Sequence, residues 1–227
     1  MKVGIFGGTF NPVHIGHLRA AEEVRDILRL DRIFFIPSGR PPLKTREIAP
    51  AEHRYEMLRR AIRGNPFFHL SDVECRKNRK SYTVDTLKEL YALHPHDRFF
   101  FMLGIDAFLD IPNWWRPEEL VSITDFIVVS RPGFRFSEMR GSPYLKEGKS
   151  LLSDIDRSRN ATNVIKLKSK RYAILLALTP FGISSTHIRR LLNQGRSTKY
   201  LLPPAVQSYI ITHKLYKKKS LRNHVGR

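Results

Sequence analysis

Short apolar runs alternate along the chain with stretches whose apolar residues recur at helical spacing. Lys2–Phe6 is an apolar run closed by Gly7-Gly8 and predicts a first strand. From His17 to Leu28, residues Leu18, Ala21, Val24 and Leu28 fall on one side of a helix. Arg32–Pro37 predicts a second, buried strand, and Ala51–Arg63 a second helix with Tyr55, Leu58 and Ile62 inward and Gly64 as its stop. Phe67–Val73 is shorter and less apolar, which suits a strand near an edge. Tyr82–Leu93 predicts a third helix with Val84, Leu87, Leu90 and Tyr91 inward. Arg98–Leu103 is too apolar to have a wet face, and Asp125–Val129 reads the same way. Such strands, separated by helices, imply a parallel sheet covered on both faces.

Gly133 to Asn163 mixes Gly, Ser, Pro and charge and reads as a long mobile connection. Val164–Leu167 and Tyr172–Leu178 resume strand character. Thr186–Asn193 predicts a short helix ended by Gly195, and Pro203-Pro204 opens a last helix through Ile211. The expected organisation is a single domain over 1–216, with a small helical part over about 184–216 and a basic tail over 217–227 that frays. Strand order cannot be read, but ligands in such sheets sit at the carboxyl ends of the strands.

Composition narrows the classes. The 227 residues carry 40 Lys+Arg against 21 Asp+Glu, a formal charge of +19. Clusters at Arg76–Lys80, Lys166–Arg171 and Lys217–Arg227 suit nucleic acid, polyanionic small molecules or plain solvated surface equally. No aromatics interleave with them to make a stacking platform for single strands, so nucleic acid is not expected as the primary partner. A single cysteine, Cys75, excludes an intramolecular disulfide or a Cys-based zinc cluster and suits a passive thiol. The longest aliphatic run, Ala173–Leu178, is far short of the ~20 residues that span a bilayer. The start lacks a secretory pattern. A cytoplasmic protein without membrane partners is expected, its oligomeric state left open, a homo-oligomer included.

The most informative segment is Gly7-Gly8-Thr9-Phe10-Asn11-Pro12-Val13-His14-Ile15-Gly16-His17, between the first strand and the first helix. Glycines allow close approach of backbone to a phosphate, and a helix start presents unpaired N–H groups to an anion. The segment lacks both G-x-x-x-x-G-K-[ST] and G-x-G-x-x-G. It offers two imidazoles three residues apart, able to face one group beyond the strand end and stabilise charge on a reacting phosphate. A zinc site would need a third or fourth protein ligand, and none is evident nearby.

This segment resembles the signature of the nucleotidyltransferase superfamily that carries H-x-G-H. Within it the chain is similar to the bacterial nicotinate-nucleotide adenylyltransferases along nearly its whole length. Further matches are Pro41-Pro42-Leu43-Lys44, Ser81-Tyr82-Thr83, Gly104-Ile105-Asp106, Pro112-Asn113-Trp114, Ser130-Arg131-Pro132-Gly133 and Ile183-Ser184-Ser185-Thr186-His187-Ile188-Arg189. Two positions depart from the family pattern: Asn11 stands where Asp is common and Leu43 where His is common. His14-Ile15-Gly16-His17 also spells the motif of class I aminoacyl-tRNA synthetases, but K-M-S-K-S has only a loose echo in Lys166–Lys170, and 227 residues leave little room for their other domains.

The resemblance implies a Rossmann-like, doubly wound α/β fold and transfer of AMP from ATP to nicotinate mononucleotide, giving deamido-NAD and pyrophosphate. It implies His14, His17, Lys44 and Arg189 as catalytic residues. ATP would be held by Gly7, Gly8, Thr9, Phe10, Gly104, Asp106, Arg131, Ile183, Ser184, Ser185 and Thr186. Tyr82, Thr83 and Trp114 would meet the acceptor ring, with Trp115 a packing residue. Magnesium would be carried by phosphates and water with no protein ligand. The same chemistry on nicotinamide mononucleotide or phosphopantetheine, and a basic RNA-binding module, are the competing readings.

Overall fold

The computed structural model describes residues 1–41, 48–146, 151–157 and 162–217. Strand β1 (Lys2–Gly8) is followed by helix α1 (Ile15–Leu28), β2 (Arg32–Pro37), α2 (Ala51–Ile62), β3 (Phe68–Leu70), α3 (Thr83–Leu93) and β4 (Arg98–Gly104). Short helices α4 (Ile105–Leu109) and α5 (Pro117–Ile123) lead into β5 (Asp125–Val129). Then come α6 (Leu151–Arg157), β6 (Thr162–Lys166), β7 (Tyr172–Leu176), α7 (Ser185–Asn193) and α8 (Pro204–Thr212).

The strands form one sheet in the order β3-β2-β1-β4-β5-β7-β6. All pairs are parallel except the edge strand β6, which runs antiparallel to β7. The chain winds outward from β1 through β2 to β3, then crosses back to β4 on the other side. That reversal opens a crevice at the carboxyl ends of β1 and β4, the usual place for a ligand in an open α/β sheet. β4 shows why its sequence needs no polar alternation. Phe99, Phe101 and Leu103 join the buried cluster on one face, with Leu87, Phe108 and Phe126. Phe100 and Met102 join the other, with Val24, Phe35, Met57 and Ile188. Successive side chains point to opposite faces, and both faces are covered.

Two expectations are corrected. On α2 the buried residues are Arg54, Met57, Leu58 and Ile62, with Tyr55 only half-buried. The 133–163 segment is structured rather than a mobile connection, over its described residues. A 3-10 turn at Phe136–Gly141 packs against α4 and α6. Phe136, Met139, Tyr144, Leu145, Leu152 and Ile155 are buried in the first cluster. Asp156 of α6 accepts the N–H groups of Phe136 (2.7 Å) and Ser137 (3.0 Å). The apolar residues sit on pieces too short to show a period, so the segment's Gly, Ser and charge dominate the pattern. The basic tail beyond Lys217 lies outside the described residues.

Candidate active site

β1 ends at Gly8, and the chain turns through Phe10, which takes a left-handed φ of 47°. A Cβ on Gly8 would lie 3.2 Å from carbons of the Phe10 ring, so the glycine lets that ring fold back under the strand end. Phe10 is buried and meets the His17 ring edge-on at 5.1 Å. His14 immediately precedes α1, and His17 lies in its first turn.

The two imidazoles stack, with ring centroids 3.6 Å apart and planes 22° from parallel. The His14 backbone N–H donates to His17 Nδ1 at 3.2 Å. His17 therefore carries its own proton on Nε2. Burial holds both rings neutral. It lowers the His14 pKa from 6.5 to about 4, and the nearby Arg131 charge adds to this. His17 is lowered well below 6.5 by burial first, then by His14 and Arg131. His14 Nδ1 is buried with no hydrogen-bond partner among the described residues. Such an orphan costs about 1–3 kcal/mol and is the kind of group a bound ligand satisfies.

The loop ahead of the histidines is held from behind. Arg54, 1% exposed, donates to the carbonyls of Thr9, Gly39 and Ala49, each at 2.9 Å. Arg189 donates to Asn11 O at 2.9 Å, and Ser185 Oγ to Pro12 O at 2.8 Å. Ser184 caps α7, its Oγ accepting from His187 N–H at 3.2 Å. Ile183 packs on the second cluster, and Thr186 Oγ1 lies 3.4 Å from the Arg189 guanidinium. So the 183–189 motif is brought against Gly7–His17, and two of its residues bind the loop's own carbonyls. Arg189 Nε, also buried, has no hydrogen-bond partner among the described residues.

Asp106 and Arg131 meet across the ends of β4 and β5, with Arg131 Nη1 2.7 Å from Asp106 Oδ2. A Cβ at Gly104 would stand 2.6 Å from Asp106 Oδ1, so only glycine leaves this carboxylate its place. That Oδ1 is buried and lacks a hydrogen-bond partner among the described residues.

On the other side of the crevice, Tyr82 and Thr83 open α3. Trp114 is half-buried against the first cluster, edge-on to Phe101, and donates through Nε1 to Asp110 Oδ2 at 3.0 Å. Trp115 corrects its expected packing role: it is 52% exposed, its ring 5.4 Å from that of Tyr82 and tilted 31°. The proline-bounded loop carries both indoles outward, and only the first finds core behind it. Lys44 lies outside the described residues.

Sequence reasoning missed Arg54, Tyr216 and Glu23. Arg54 had a signal, an arginine on the apolar stripe of α2. Tyr216 donates to Asn11 Oδ1 across 205 residues, and nothing local announces that. Glu23, on the buried side of α1, accepts from Thr179 N–H at 2.9 Å and so ties α1 to the approach of the 183–189 motif. Shallow hollows at the opposite end of the sheet share Arg98, Asp125 and Tyr172, away from these groups. No described helix is long and apolar enough to cross a membrane.

The sequence profile described as Cytidylyltransferase-like matches residues 5–191. A protein of Geotalea daltonii named probable nicotinate-nucleotide adenylyltransferase is 42% identical over 218 residues, covering 95% of this chain and 98% of its own. One of the same name from Thermus thermophilus is 38% identical over 217 residues, covering 96% and 100%. The solved Plasmodium falciparum nicotinic acid mononucleotide adenylyltransferase complexed with NaAD shares the fold, with a TM-score of 0.72. It is 24% identical, with 95% of this chain and 97% of that one covered.

Proposed function

Because the chain belongs to the cytidylyltransferase-like family, and within it to the nicotinate-nucleotide adenylyltransferases, we propose that it transfers AMP from ATP to nicotinate mononucleotide. The observation that carries this is the pair of stacked, neutral imidazoles at the carboxyl edge of the sheet, one with an orphaned nitrogen. An acceptor phosphate oxygen attacks the α-phosphorus of ATP in line. A new P–O–P bridge forms, the bond to the β-phosphate oxygen breaks, and pyrophosphate leaves with the electron pair. The products are deamido-NAD and pyrophosphate.

The nucleophile is already an anion, so no general base is needed. Two anions must be brought together and the charge on the reacting phosphorus stabilised, which is work for fixed donors. His17 Nε2–H, its direction set by the bond at Nδ1, donates to a phosphate oxygen, and His14 meets the same phosphates. A neutral imidazole donor keeps its proton throughout, so no titration competes with the reaction. Backbone at Gly7, Gly8, Thr9 and Phe10 receives the nucleotide phosphates. Arg189, with Nε still to be satisfied, and the start of α7 at Ser184–Thr186 approach them from the far side. Lys44 completes the set in this reading.

Asp106 and Arg131, with Gly104, take the adenosine. The Asp106 Oδ1 suits a ribose or adenine donor. Thr83 and the free N–H groups at the start of α3 suit the pyridine carboxylate, and Trp114 with Tyr82 the ring. Magnesium fits as an ion carried by the phosphates and water, since the groups facing the crevice are mostly imidazoles, guanidiniums and N–H donors, and the Asp106 carboxylate is paired with Arg131. When bound it would take up charge on the departing pyrophosphate. A cytoplasmic setting belongs to the same reading, and Cys75, which burial keeps protonated with a pKa of about 11, suits a reducing one.

The test is pyrophosphate release with ATP and a panel of acceptors. Turnover with nicotinate mononucleotide at least tenfold above the amide is expected. Equal rates with both would defeat selectivity for the acid, and no turnover with either would defeat the whole reading.

A further inference from the structure

Among the described residues, α2, α7 and the residues just before α2 supply hydrogen bonds that steady the loop ahead of His14, and one more comes from far along the chain. Tyr216 lies beyond α8 and donates its hydroxyl to Asn11 Oδ1 at 2.8 Å. To reach it the chain leaves α8 at His213 and takes left-handed backbone at Lys214 (φ 50°) and Tyr216 (φ 62°). Neither is glycine, so each conformation carries strain and persists only where surrounding contacts enforce it. Leu215 and Tyr216 pack on the second cluster, which supplies that enforcement. Burial raises the pKa of the phenol, so the group remains a donor at working pH.

Asn11 is itself buried, at 5% exposure, and its Oδ1 also accepts the Ala49 N–H at 3.0 Å. Two donors on one oxygen decide which end of the amide faces them. The Asn11 carbonyl is the acceptor for Arg189, and the next residues lead directly into His14. From this geometry we infer that Tyr216 is a positioning residue for adenylyl transfer. Its hydroxyl fixes the Asn11 amide and through it the loop that aims His14 and Arg189. The inference rests on the reaction proposed above, since the aim it preserves is toward the reacting phosphates. A displacement well under 1 Å is enough to matter in a site that works by fixed donors.

The experiment uses the full chain carrying Tyr216→Phe, Asn11→Ala, and both. Kinetics are read by pyrophosphate release and the His14 and His17 imidazole nitrogens by NMR. Expected is a fall in kcat of about tenfold for Tyr216→Phe with KM for ATP changed less than twofold. The double variant should be no slower than the slower single, because both changes break the same link. The two imidazole signals should shift in Tyr216→Phe. A kcat within threefold of wild type, or effects that multiply in the double variant, overturns the inference. So does a Tyr216→Phe chain that no longer folds, since the hydroxyl then serves stability alone. Should wild type turn over no acceptor, the reaction assignment falls, and unmoved imidazole signals would separately remove Tyr216 as a positioning residue.

Discussion

The two sides of the crevice are built differently. On one, Phe10–His14 are buried, and the carbonyls of Thr9, Asn11 and Pro12 and the Asn11 amide oxygen are bound from behind by Arg54, Arg189, Ser185, Ala49 and Tyr216. On the other, the Trp114–Arg116 loop is held mainly by its own neighbours. Asp110 takes the Trp114 indole, while Trp115 is 52% exposed and Arg116 has left-handed backbone with φ 50°. The difference matches the demands of the chemistry. Charge developing on a phosphorus is best met by donors that need not move. A flat aromatic ring needs stacking surface, and a loop that adjusts around it loses little. The first side should therefore respond to substitution in kcat or folding, and the second in KM for the acceptor.

The largest effect is expected for His17→Ala. It removes one fixed donor at the reacting phosphate, and kcat should fall about a thousandfold, or about 4 kcal/mol. Far-ultraviolet circular dichroism should be unchanged, because α1 keeps its buried Ala21 and Val24. Near-wild-type turnover would take the imidazole out of the reaction and leave the rigid side without its purpose.

Arg54→Met probes how rigidity is achieved. Three buried carbonyls lose their donor, and a net loss of about 3 kcal/mol is expected once water enters to satisfy some of them. Urea unfolding measures it directly. A loss below about 1 kcal/mol would mean that the loop holds its shape by packing of Phe10 and Val13 and by its remaining bonds to Arg189, Ser185, Ala49 and Tyr216.

The sequence made the first side more legible than the second, for physical reasons. The glycine turn, the paired histidines and the ends of strands are local features, each encoded within a few residues. The alternation of Phe99, Phe101 and Leu103 with Phe100 and Met102 is equally local, so the covered sheet could be read before its strand order. What binds the loop from behind is not local. Arg54 reaches Thr9 from 45 residues away and Tyr216 reaches Asn11 from 205. No spacing rule connects such positions. The tryptophans failed differently: adjacent indoles are chemically equal in sequence, and only the path of the backbone decides which one finds core behind it.

Acid should act on the rigid side first. The folded-state pKa of His14 is depressed from 6.5 to about 4, so its contribution is fully present above pH 6.5. As pH falls from 6.5 towards 4, the unfolded chain takes a proton that the folded chain refuses, and stability declines. The full decline approaches ~3 kcal/mol for a depression of this size, and His17 adds to it in the same direction. Unfolding measured at pH 7.5 and pH 4.5 should show the loss, and His14→Asn should remove most of its own share. An unchanged slope in His14→Asn would place the acid sensitivity elsewhere.

The smallest effects belong to the open side. Loss of one stacking indole is worth about 1 kcal/mol, or roughly fivefold in apparent affinity. Trp114→Ala should raise KM for the acceptor by about that factor, with KM for ATP and kcat within twofold. Trp115→Ala should do less, because its ring is half exposed and meets Tyr82 and the Arg116 guanidinium at its own surface loop. Reversal of that order would mean that the loop turns over when the acceptor arrives and that Trp115 presents the stacking face. If either variant raised KM for ATP as much as for the acceptor, the adaptable side would be coupled to the phosphate loop after all. The contrast between a fixed nucleotide half and a yielding acceptor half would then be lost.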